Sequence, residues 1–61
     1  MDEAFEAYAK GRADGTAGRR DRARAADAST GPDYRIGFLD ARLDVFRMLA
    51  EARRLLDSDP L

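Results

Sequence analysis

The stretch Tyr34-Arg35-Ile36-Gly37-Phe38-Leu39-Asp40-Ala41-Arg42-Leu43-Asp44-Val45-Phe46-Arg47-Met48-Leu49-Ala50 decides the fold. Its apolar residues recur at steps of three and four, the period of a helix face, and not in the strict alternation of a strand. One stripe is Tyr34, Phe38, Ala41, Val45 and Met48, continued by Ala52 and Leu55. A second is Ile36, Leu39, Leu43, Phe46 and Ala50. At about 100° per residue the second stripe lies about 160° round the helix from the first. Two narrow polar edges separate them, one with Asp40, Asp44, Arg47 and Glu51, the other with Arg35, Arg42 and Arg53.

The start of this helix is marked by Ser29-Thr30-Gly31-Pro32-Asp33. Proline suits the first helical position and disfavours helical geometry in the residue before it, which makes Gly31 the expected N-cap. Asp33 places a negative charge in the first turn, where the helix dipole favours it. Pro60 disfavours helix at Asp59, so the helix is expected over about 32–57.

The N-terminal half predicts a first helix over about 2–26 and a turn over 27–31. Asp2, Glu3 and Glu6 at its start and Arg19, Arg20, Arg22 and Arg24 towards its end match the dipole. Gly11, Gly15 and Gly18 weaken it, and the alternative reading of residues 11–33 is a flexible linker. Against that alternative, Ala4, Tyr8, Gly11, Gly15, Gly18, Arg22 and Ala25 share one helical face. Folded antiparallel about the Gly31-Pro32 break, they pair with the Tyr34 stripe: Ala4 with Leu55, Tyr8 with Ala52, Gly11 with Met48, Gly15 with Val45, Gly18 with Ala41, Arg22 with Phe38 and Ala25 with Tyr34. Small residues then let the backbones approach, and Arg22 stands over Phe38 as a cation–π pair. A short repeat accompanies these faces: Tyr8-x-x-Gly11-x-x-Asp14-Gly15 recurs 26 residues later as Tyr34-x-x-Gly37-x-x-Asp40-Ala41. It suggests that both helices use a Tyr followed by small residues for one structural purpose.

The expected fold is therefore all-α, an antiparallel two-helix hairpin in one domain over residues 1–61. Such a hairpin leaves Ile36, Leu39, Leu43, Phe46 and Ala50 in water, or the Tyr34 stripe if the two faces exchange roles. Either way one apolar face lacks a partner, which marks an interface. Chain length sharpens the point, because 61 residues form a marginal core that small proteins supplement with disulfides, metals or association. With no Cys and no His, association is what remains. Dimerisation into a four-helix bundle is the expectation, with a structural or adaptor role; capture of a different protein, as by a small inhibitor or regulatory subunit, is the alternative.

Other functions find less support. The net charge of −1 is balanced between the two halves, so no one-sign field steers the molecule to nucleic acid or anionic lipid. The run Arg19-Arg20-Asp21-Arg22-Ala23-Arg24 is the one candidate polyanion contact, yet no aromatic interleaves it and Asp21 interrupts it. The spacing of Arg24 and Asp27, seen in some nucleotide sites, arises easily in an Arg- and Asp-rich chain. Asp40 with Asp44, and Asp14 with Asp21, read as surface salt-bridge partners of nearby arginines rather than as metal ligands or an acid–base pair. Ser29, Ser58, Thr16 and Thr30 have no base to activate them. No catalytic residue, metal or cofactor is expected. The acidic start Met1-Asp2-Glu3 and the absence of an apolar run of about 18 residues predict a cytoplasmic protein without a membrane span.

Overall fold

In the computed structural model, which describes residues 2–58, the chain forms three helices. They are α1 (Glu3–Ala17), a single turn α2 (Arg22–Ala25) and α3 (Gly31–Asp57). The all-α expectation holds: among the described residues there is no strand. No helix of the described residues is long and apolar enough to cross a membrane.

Asp2 begins α1 by accepting the Ala4 amide at 3.0 Å, with Glu3 and Glu6 in the first turn to meet the dipole. The helix ends at Gly18, whose φ of 72° lies in the left-handed region that glycine enters without a steric penalty. Its neighbour's amide, Arg19 N–H, then reaches back to the Asp14 carbonyl at 2.9 Å, a Schellman closure of the last turn. The expected continuous helix over 2–26 is thus corrected. Asp21 starts the short α2 by accepting the Arg24 amide at 3.1 Å.

Residues 26–30 are held by Asp27, whose carboxylate accepts the amides of Ser29 at 2.8 Å and Thr30 at 2.9 Å. Those bonds, Thr30 first and then Ser29, pull the Asp27 carboxyl below its usual range. The long helix α3 begins one residue earlier than expected, with Thr30 rather than Gly31 at the cap and Pro32 in the first turn.

The two long helices pack in the same direction, which corrects the antiparallel hairpin. Gly11 lies against Tyr34 and Phe38, Gly15 against Phe38 and Ala41, and Gly18 against Arg42, so the register climbs along both. The expected pairs Gly11 with Met48, Gly15 with Val45, Gly18 with Ala41 and Arg22 with Phe38 are replaced by these. Residues 18–30 make the parallel arrangement possible by carrying the chain back from the end of α1 to its beginning. Since α1 is about 22 Å long and α3 about 40 Å at 1.5 Å per residue, α3 runs well past its neighbour. Every residue over 46–58 is exposed, including Met48, Ala52 and Leu55, which were expected to face helix 1.

Candidate functional site

The internal repeat explains the helix crossing. Tyr8 Oη donates to Asp40 at 2.8 Å, and Tyr34 Oη donates to Asp14 at 2.6 Å, so each repeat's Tyr bonds the other's Asp. The glycines exchange in the same way. A β-carbon on Gly11 would lie 2.1 Å from the Tyr34 carbonyl oxygen, and one on Gly37 would lie 2.1 Å from that of Tyr8. The two copies therefore form a pseudo-twofold pair whose backbones touch where only glycine fits. Gly15 and Ala41 extend the close approach one turn further.

Around this crossing the buried apolar residues are Ala7, Ala25, Tyr34 and Ala41, with Phe38 packed against them. Tyr34, at 1% exposure, is the one large side chain fully buried among the described residues. Its hydroxyl also accepts the Asp21 amide at 2.8 Å, fastening the start of α2 to the pair. Burial, and then the Asp14 bond, raise the Tyr34 hydroxyl above its usual pKa. That same bond, ahead of the ion pair with Lys10 at 3.2 Å, holds the Asp14 carboxyl below the usual carboxylate range.

The sequence puts Tyr8, Gly11, Gly15, Tyr34, Phe38 and Ala41 on the facing helical stripes, and the structure brings them together at the contact. Gly18 instead ends α1, Val45 is half-buried, and Met48 is exposed. Gly37, Asp14 and Asp40 lie off the two facing stripes, and their places in the repeat are the only sequence signal of their packing role. Arg12, which reaches Asp44 at 2.8 Å, carried no such signal.

The opposite side of α3 presents Ile36, Leu39, Leu43, Phe46 and Ala50. Leu43 is the least exposed of the large ones, at 52%, and Leu39 reaches 61%. Leu49 and Leu56 are exposed beside this stripe. Arg42 stands over the Phe46 ring at 5.2 Å from its centroid, a cation–π pair in place of the one expected between Arg22 and Phe38. It also donates to the Gly15 carbonyl at 3.2 Å, and Arg35 donates to that of Ala25.

The arginine run does not form one patch. Arg20 and Arg22 line a shallow open depression with Arg35, whereas Arg24 pairs with Asp21 at 3.6 Å and borders a second depression with Glu3, Glu6 and Asp27. Arg19 is exposed in the segment between α1 and α2. Comparison with known protein families, curated proteins and solved structures finds no significant match.

Proposed function

We propose that this is a non-enzymatic helical protein whose main activity is association through the outer face of α3, with a second copy of the chain as the occupant. One observation carries the reading: among the described residues the buried apolar side chains are three alanines and one tyrosine, while Ile36, Leu39, Leu43 and Phe46 line up more than half exposed along one face. Few monomers expose a contiguous apolar stripe of this kind, and a 61-residue chain has little core to offset its ordering entropy. Burying those side chains stabilises by roughly 25 cal/mol per Å² of apolar surface removed from water. Because α1 lies on the other side of α3, a dimer of this kind places its four long helices in a row, α3 against α3 in the middle. The role suggested is structural or adaptor-like.

Leu43→Asp tests this reading, since it places an unpaired charge at the centre of the face. The variant is expected to run as a monomer by light scattering and to lose helicity by circular dichroism. Unchanged mass and helicity would contradict the proposal. A parent chain that is monomeric and weakly helical alone, gaining helix on binding a different protein, would favour the inhibitor or regulatory-subunit reading instead.

A further inference from the structure

Building on that reading, we infer that the two copies of α3 pair antiparallel, with Leu43 of one copy opposite the partner's Phe46, in a register written into the charges beside the seam. α1 covers the side of α3 that carries Tyr34, Gly37 and Ala41, leaving the seam of positions 36, 39, 43, 46, 50 and 53 open along the whole helix. In the antiparallel register Leu39 meets the partner's Ala50, and Ile36 meets the aliphatic stem of the partner's Arg53. The pairing point falls between positions 44 and 45, at the middle of α3. Full overlap follows: the half of α3 that projects past α1 in one copy lies along the first half of the partner's helix.

The edges agree with this register and argue against the parallel one. On one edge stand Asp33, Asp40, Arg47 and Arg54, acidic in the first half of the helix and basic in the second. Antiparallel pairing sets Asp40 beside the partner's Arg47 and Asp33 beside the partner's Arg54, and symmetry repeats both. Opposite charges in such flanking positions set partner choice and orientation. Asp40 gives one oxygen to Tyr8, and Arg47 and Arg54 make only long contacts of 3.8 and 3.9 Å to Asp44 and Glu51 within α3, so both arginines have reach to spare. On the other edge Arg42 falls beside the partner's Leu49 and Arg35 beside the partner's Leu56. Their guanidinium groups already bond the Gly15 and Ala25 carbonyls, which leaves the apolar stems to cover those leucines. Leu49 and Leu56, which lie off both stripes, thereby gain neighbours. A parallel dimer would instead set Arg42 beside the partner's Arg47 and Arg53 against the partner's Arg53.

The chain contains no Cys, so engineered pairs report directly. Leu39→Cys and Ala50→Cys are made as single variants and oxidised alone and mixed. The mixture is expected to give a disulfide dimer joining one variant to the other, at least tenfold faster than either variant joins itself. In the antiparallel register two copies of position 39 lie about 16 Å apart along the seam at 1.5 Å per residue. Self-linking as fast as cross-linking would overturn the antiparallel register. A dimer by sedimentation that forms no disulfide in any mixture would overturn the seam while leaving self-association standing; a parent chain that sediments as a monomer would overturn both. In the same register Arg47→Glu weakens the dimer by roughly tenfold through repulsion from the partner's Asp40, whereas Glu51→Gln, off the seam, stays within about twofold. Equal effects of the two substitutions would contradict the charge pairing.

Discussion

Tyr34 joins three segments through one hydroxyl, which donates to Asp14 of α1 at 2.6 Å and accepts the amide of Asp21 at the start of α2 at 2.8 Å. Removing that oxygen leaves the Asp21 amide and the Asp14 carboxylate without it in a partly buried place. Tyr34→Phe is therefore expected to cost about 1–3 kcal/mol in denaturant melts followed by circular dichroism; a variant as stable as the parent would show that the bridge is replaced by water at no cost. The bond also shapes the pH profile. Asp14 has a folded pKa below its ordinary 3.8, so its contribution is present above that value and is lost as pH falls through the lower folded one. Tyr34 has a folded pKa above its ordinary 10.0, so its contribution is present below pH 10 and is lost as pH rises through the higher folded one. The parent should lose stability at both ends, and Tyr34→Phe should lack the alkaline loss that Tyr34 supplies.

Among the elements, the contact between α1 and α3 is set by glycine. Alanine favours helix over glycine by about 1 kcal/mol, so Gly37→Ala would raise stability if helix propensity alone governed this site. The added β-carbon would instead lie 2.1 Å from the Tyr8 carbonyl oxygen, forcing the two backbones apart. The variant is expected to melt below the parent in a thermal scan, and a melting temperature at or above the parent's would contradict the close crossing. Much of this contact was legible in the sequence: the span of α3, its two stripes and the Tyr–Gly–Asp repeat. The direction of packing was not, because a face spaced by threes and fours fits a neighbour running either way. What decides it is the chain between the long helices. Gly18 followed by Asp21 is a helix stop followed by a helix start, but the helix-forming arginines and alanines around them read as continuation. The outer stripe was legible because it needs only α3, whereas the overhang depends on where α1 ends and was hidden with it.

At the scale of the molecule the chain is elongated, 52 × 21 × 13 Å, because half of α3 projects beyond its neighbour. A projecting amphipathic helix gains little from its own chain, since most helical stability in proteins comes from packing an apolar face. In the proposed dimer a second copy provides that packing, and sedimentation equilibrium of the unmodified protein across a range of micromolar concentrations tests it most directly. A mass of twice the 6.8 kDa chain, falling towards the monomer on dilution together with loss of helicity, is the predicted result. A fully helical monomer at every concentration would contradict it.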